Sequence, residues 1–297
     1  MGRSVRIGSP AKINLGLEIA GKRPDGFHEL LSVMSLLDLT DQLTVFEDDG
    51  EHDDDLPGVP GRDNLIRRAL DAFRAIHPDS APLGWTIEKR IPAAAGLGGA
   101  SSNAAAALLA ANSLADTPLP SGTLHRLAAS LGSDIPFFLN GPAGLASGRG
   151  TEIAPLPPIH GWLVIVVPER ETAAKTASMY GKLITSDFSD GAAVAASAAA
   201  IRNGGGVESL HLHNSFTRAA RAQWPEVDRV LSLFPQLGIE RHGLSGAGPS
   251  TYALLKDRNE AELLERRLRS HLSDSTLTIV TSFRQTPLMV EEISPGG

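Results

Sequence analysis

Twelve residues constrain this chain more than any others: Pro92-Ala93-Ala94-Ala95-Gly96-Leu97-Gly98-Gly99-Ala100-Ser101-Ser102-Asn103. Glycine and alanine at this density let a backbone approach another surface closely, and the alanine-dominated run that follows predicts a helix over residues 103–112. The segment therefore reads as a strand-to-helix connection. Serines at the helix start bring uncapped N–H groups and the positive end of the helix dipole together, an arrangement that receives phosphate. On these residues alone two readings stand, a nucleotide loop and a Gly-rich turn with a serine cap. Gly99-Ala100-Ser101 lacks the lysine of a Walker loop. Asp116, about twenty residues on, sits in a proline-rich stretch rather than on a strand, so the dinucleotide fingerprint fails as well.

Composition limits the partners of such a loop. With 27 basic against 34 acidic side chains the net charge is −7, which opposes binding along a nucleic-acid backbone, so any phosphate site must be local. There is no cysteine, which removes disulfide frameworks, thiolate nucleophiles and cysteine-bound metals and suits the cytoplasm. The longest near-apolar stretch, residues 191–201, is far short of the roughly 20 residues that span a bilayer, and the N-terminus lacks a signal-peptide pattern. Neither a membrane nor a nucleic-acid partner is expected.

Period-two alternation predicts strands over residues 4–7 and 13–19, separated by Ser9-Pro10 and closed at Pro24-Asp25-Gly26. Further strands are expected near 43–46 and 85–87, with the acidic stretch 48–55 between them as a solvated loop. A helix is expected over 122–131. Pro155, Pro157 and Pro158 precede the apolar run 162–167, which reads as a buried strand. We place a domain boundary there, giving an N-terminal domain over 1–158 and a C-terminal domain over 159–297. In the second half, helices near 172–182, 192–202, 216–234 and 259–271 alternate with strands near 241–245, 251–255 and 276–282, an α+β pattern.

Two more segments accompany the Gly-rich loop, Pro10-Ala11-Lys12-Ile13-Asn14-Leu15 and Leu244-Ser245-Gly246-Ala247-Gly248-Pro249-Ser250. Three such blocks in this order resemble the GHMP kinase superfamily. Within it, Gly21-Lys22-Arg23-Pro24-Asp25-Gly26-Phe27-His28-Glu29-Leu30, the block over 37–45, Asn64-Leu65-Ile66 and Gly132-Ser133-Asp134-Ile135-Pro136-Phe137-Phe138 resemble the 4-diphosphocytidyl-2-C-methyl-D-erythritol kinase family. The similarity is dense over 9–150 and sparser afterwards. The chain departs from the family's usual pattern at Phe27, where tyrosine is common, at Ala100, where glycine is common, and at Ser215, where an acidic residue usually follows Asn214.

The resemblance implies a two-domain fold, a first domain like ribosomal protein S5 domain 2 and a ferredoxin-like second. It also implies transfer of the ATP γ-phosphate to the 2-hydroxyl of the cytidine diphosphate methylerythritol substrate, in the non-mevalonate route to isopentenyl diphosphate. ATP, as co-substrate with Mg2+, would lie on residues 92–102 and Asn64. Asp134 would be the base and Lys12 the cation that assists it. Without the family, Asp134 reads first as an Asx-type turn cap and Lys12 as a solvated strand lysine. Phe27 and Tyr180 would sandwich the cytosine, His28 would meet its polar edge, and Asn14 and Thr176 would touch the methylerythritol part. By residue type alone Phe27 is a hairpin aromatic and Tyr180 a helix core residue. His125, His160, His211, His213, His242 and His271 match no metal spacing, so no protein-bound metal site is expected. Two other functions compete: a mevalonate- or homoserine-type alcohol kinase, and a nucleotide-binding regulator without catalysis, which the presence of both Lys12 and Asp134 opposes.

Overall fold

The computed structural model describes residues 2–48, 63–78, 80–169 and 176–293. The acidic stretch beyond residue 48 and residues 172–175 of an expected helix lie outside them.

In chain order the elements are β1 (Ser4–Lys22), β2 (His28–Glu47), α1 (Leu65–Ile76), β3 (Leu83–Glu88), α2 (Gly99–Leu114), α3 (Ser121–Leu131), α4 (Ile135–Phe138), β4 (Ala143–Ser147), β5 (Glu152–Leu156) and β6 (Trp162–Val167). They continue as α5 (Thr176–Tyr180), α6 (Ala192–Arg202), α7 (Thr217–Gln223), α8 (Pro225–Gln236), β7 (His242–Leu244), β8 (Thr251–Leu255), α9 (Arg258–Arg269), β9 (Leu277–Ser282) and β10 (Val290–Ile293).

A six-stranded sheet runs β10-β1-β2-β4-β5, with β3 on the far half of β2, and a four-stranded sheet runs β7-β8-β6-β9. The two short strands expected near the N-terminus are one strand of 19 residues. Ser9-Pro10 does not end it: the ladder with β2 absorbs the irregularity as register shifts between Pro10 and Lys12 and again between Asn14 and Leu17. β4 and β5 were not anticipated. Pro155 disguises β5, and the sheet tolerates it because β5 is an edge strand. The helix expected over 216–234 is two helices. Pro225 opens the second, and Trp224 before it is driven to φ −133°, ψ 103°, the extended region that a following proline imposes.

Three layers of apolar side chains follow. Val5, Ile7, Leu36 and Val45 of the first sheet pack under α1 and α2. Helix α2 is buried along most of its length, from Ser102 to Ala111 except Leu109; alanine suits it because a thin helix can lie close to both the sheet and α1. Ile13, Leu15 and Val33 meet Leu163, Ile165 and Tyr252 between the sheets, with α6 at the side. Val164 and Val166 face the other way, against α7, α8 and α9. β6 is thus covered on both faces, the physical reason for its uninterrupted apolar sequence. The chain then returns: β10 pairs antiparallel with β1, Ile7 opposite Val290.

Candidate active site

β1 presents Lys12 and Asn14 on one face, because side chains two apart in a strand share a side. Lys12 is 4% exposed. Its Nζ donates to Asn14 Oδ1 at 2.6 Å and stands 3.4 Å from Asp134 Oδ2. Asn14 in turn donates to Ser32 Oγ at 2.8 Å, and Ser32 to Gly16 O at 2.7 Å. The ammonium is therefore aimed by a relay that begins in the β1–β2 ladder. Asp134 precedes α4, yet its carboxylate makes no capping hydrogen bond, so the turn-cap reading is not what this side chain does. It is 42% exposed, and its separation from Lys12 exceeds the roughly 2.7–2.9 Å of a committed charge-assisted bond. Lone pairs remain for an incoming hydroxyl.

Around this pair lies a cleft of about 660 Å3, lined by the loop 92–101, Asn103, Asn64, Lys89, Tyr180 and the Gly246–Gly248 turn. The left-handed Gly98 (φ 71°) precedes α2 without a side-chain cap. The first helical hydrogen bond runs from Ser102 N to Gly98 O at 2.8 Å, so the amides of Gly99, Ala100 and Ser101 come before it and open to the cleft. A Cβ on Gly98 would fall 2.7 Å from Lys12 Cγ; only glycine lets the loop cross the lysine stem. At Gly96 a Cβ would fall 2.9 Å from both Ser245 O and Gly248 O. The two Gly-rich segments, about 150 residues apart in sequence, touch there, joined by Ser245 Oγ to Gly96 O at 3.1 Å.

The expected site residues divide. Ser101 lines the cleft, whereas Ser102 is fully buried, with its Oγ 2.8 Å from Ser9 Oγ; that hydroxyl is occupied inside the protein. Asn64 lines the cleft and caps α1, accepting from Ile66 N at 2.9 Å. Tyr180 reaches the cleft from α5, and its ring stacks on His28 at 4.8 Å and 29°. Burial, then the charge of Asp134, pushes the Tyr180 phenol up to about 12, so it stays neutral. Burial first, and Lys22 second, lowers the His28 imidazole below its usual range. Phe27 is exposed, at the tip of the β1–β2 turn, with the Arg149 guanidinium 4.5 Å over its ring, and it is not among the residues that line the cleft. Thr176 opens α5, and its side chain lies outside the described residues.

The model of the GHMP kinases N terminal domain matches residues 64–142, and that of the GHMP kinases C terminal matches 197–274. A 4-diphosphocytidyl-2-C-methyl-D-erythritol kinase of Acaryochloris marina is 35% identical over 93% of this chain and 95% of its own. One of Burkholderia thailandensis is 37% identical over 88% of each. This chain belongs to the 4-diphosphocytidyl-2-C-methyl-D-erythritol kinase family of GHMP kinases. A crystal structure of a 4-(cytidine 5'-diphospho)-2C-methyl-D-erythritol kinase superposes with TM-score 0.78 at 29% identity, over 94% of this chain and 99% of that one. The homoserine kinase of Cytophaga hutchinsonii, at 16% identity and TM-score 0.73 over 96% of this chain and 97% of its own, shares the fold alone. The mixed two-lobed architecture expected from the three blocks is therefore that of the family.

Two residues that shape the kinase cleft fall within or beside the family blocks yet take no role from sequence alone. Asp41 is fully buried; it pairs with Lys89 and accepts from Arg90 N at 2.7 Å and Ile91 N at 2.8 Å, which fixes the backbone just before the Gly-rich loop. An acidic residue at a strand position bounded by apolar neighbours, Asp41 before Leu43 and Val45, is the signal that could have found it. The other is Asn214, considered below.

Proposed function

We propose that this enzyme transfers the γ-phosphate of ATP to the 2-hydroxyl of 4-diphosphocytidyl-2-C-methyl-D-erythritol, releasing ADP and the 2-phosphate, in the non-mevalonate route to isopentenyl diphosphate. Beyond family membership, one observation carries the chemistry: a buried ammonium held between Asn14 and a carboxylate with lone pairs to spare, in a cleft walled by two Gly-rich segments. Asp134 takes the proton of the substrate hydroxyl as its oxygen attacks the γ-phosphorus and the bond to the bridging β–γ oxygen breaks toward ADP. Lys12 stabilises the negative charge that grows on the attacking oxygen. The triphosphate lies on the amides of residues 98–101, with Asn64 at the nucleotide's side of the cleft. Asn14 and Thr176 orient the methylerythritol part. Mg2+ bound with the triphosphate would neutralise part of its charge. Ser101, which lines the cleft, would be the hydroxyl to hold it beside the phosphates. We divide the chain into lobes of 1–158 and 159–297, with β10 returning to the first, and assign the enzyme to the cytoplasm.

An ADP-release assay offering the cytidine substrate, mevalonate and homoserine in parallel tests this reading. Turnover is expected with the cytidine substrate alone; turnover of mevalonate or homoserine without it rejects the assignment. Base recognition has its own test. Tyr180→Ala and Phe27→Ala should each weaken the cytidine substrate by roughly 1–3 kcal/mol, the worth of a base stacked on an aromatic ring, and leave the affinity for a non-hydrolysable ATP analogue unchanged. Titrations with both ligands, paired with melting curves, decide the point. Because Tyr180 also packs edge-on against Phe216 at 4.9 Å, a fall in Tm with equal loss for both ligands would return it to the core.

A further inference from the structure

We infer that Asn214 is a positioning residue for catalysis: its side chain sets the second Gly-rich segment against the Lys12–Asn14 pair. This rests on the kinase reading above. Asn214 is 4% exposed, and two of the three hydrogen bonds that its carboxamide makes go to residues that line the cleft, Gly246 and Phe216. Nδ2 donates to Leu244 O at 2.8 Å and to Gly246 O at 2.9 Å. Oδ1 accepts from Phe216 N at 2.9 Å. Phe216 itself lines the cleft beside Tyr180.

The main chain on either side of this residue is tied elsewhere. Asn214 forms a parallel bridge with Leu17 of β1. Leu17 N donates to His213 O at 2.8 Å and Ser215 N to Leu17 O at 2.9 Å, while Ile19 N donates to Ser215 Oγ at 3.0 Å. This attachment falls where the β1–β2 ladder shifts register between Asn14 and Leu17, so β1 has backbone groups to offer there. Asn214 thus spans from the strand that carries Lys12 to the turn opposite it. The turn is close: a Cβ placed on Gly246 would lie 3.3 Å from Asn14 Oδ1 and 3.6 Å from Lys12 Nζ. Its spacing from the lysine is therefore set in part by one buried side chain anchored at both ends, beside the Ser245 Oγ to Gly96 O bond. Only an amide fits, since two carbonyls need donors and one amide N–H needs an acceptor. Asp would face two carbonyl oxygens with a charge, and Ala would leave all three groups unpaired.

In-line phosphoryl transfer is sensitive to such spacing, with a misplacement of about 1 Å able to cost on the order of 10²-fold. The test compares Asn214→Ala and Asn214→Asp with Ser197→Ala. Ser197 accepts from His211 N at 2.7 Å and so anchors the same segment, but it makes no bond to the turn. For each protein, kcat is expressed per site titrated with a non-hydrolysable ATP analogue, and hydrogen exchange is followed in peptides covering residues 244–250. Both Asn214 variants should lose at least about tenfold in kcat, with KM for ATP shifted less than about threefold, and should exchange faster over 244–250. Ser197→Ala should melt earlier at unchanged kcat per site. The inference is overturned if kcat per site in the Asn214 variants stays within about threefold of the parent, if Ser197→Ala loses as much, or if neither Asn214 variant folds, which would make the residue a folding determinant only. Parent turnover of the cytidine substrate is measured first. Should the parent prefer another alcohol, the proposed function fails, and the ratio of variant to parent with that alcohol still decides the role of Asn214; should it turn over none, unchanged exchange over 244–250 overturns the inference.

Discussion

Asp134→Asn should lower kcat by roughly 10²- to 10⁴-fold, the usual contribution of a positioned general base, and leave ATP-analogue binding and Tm close to the parent values. Asparagine has the same shape, but its carboxamide cannot take a proton from the substrate hydroxyl. Little in the fold depends on the charge: the carboxylate caps nothing, is 42% exposed, and has Lys12 at 3.4 Å as its ionic neighbour. The substitution thus separates chemistry from architecture cleanly. Steady-state kinetics with calorimetric binding of a non-hydrolysable analogue would check it. An unchanged kcat in a folded variant would remove Asp134 from the base role, and the remaining candidate mechanism would be direct transfer assisted by Lys12 alone.

Lys12→Met is expected to cost about 10²–10³ in kcat, the range seen when one preorganised donor to a developing oxyanion is removed. Methionine keeps an unbranched stem of similar length, which the site demands: Lys12 Cγ lies where Gly98 alone allows the loop to pass, and Phe138 flanks the same spot. Lys12 N also donates to Leu97 O at 2.9 Å, a bond that any substitution except proline retains. What disappears is the ammonium, and with it the donor to Asn14 Oδ1 and the counter-charge of Asp134. KM for ATP should move little, because the loop amides remain. Rapid-quench single turnovers would read the chemical step directly, and a rate within about threefold of the parent would show that the lysine's charge is not used there. Combining both substitutions should cost less than the product of the two, since residues that act as a unit are non-additive.

Much of the site was legible before any coordinates. Lys12 and Asn14 stand in one sequence block, although the expected strands, 4–7 and 13–19, leave Lys12 just outside, and it is the unbroken β1 that puts the two on one face. The Gly-Ala run into an alanine helix announces a backbone that approaches something closely, and the run 162–167 announces a strand covered on both sides. These are local properties, expressed within about ten residues by propensity, period and the stereochemistry of glycine and proline. Boundaries were less secure where a proline was tolerated for a non-local reason. Pro10 sits in a bulge of a long strand, and Pro155 on a sheet edge; neither tolerance can be read without knowing the neighbouring strands.

The family motifs carried Asp134 into the same site, but the job of each polar side chain depended on which backbone it met. Ser101 and Ser102 are adjacent and chemically identical, yet one lines the cleft and the other is spent on Ser9, because one helical step of about 100° turns it inward. His28 and Tyr180 stack across about 150 residues of sequence, and Gly96 requires its glycine because of carbonyls at 245 and 248. Sequence by itself determined most of the local elements, the Gly-rich passage into α2 and the family to which the chain belongs. Tertiary structure alone decided how far apart those groups stand, which hydroxyl is left for a ligand, and that Asn214 holds one wall to the other, since hydrogen-bond partners distant in sequence are chosen by packing, not by local propensity.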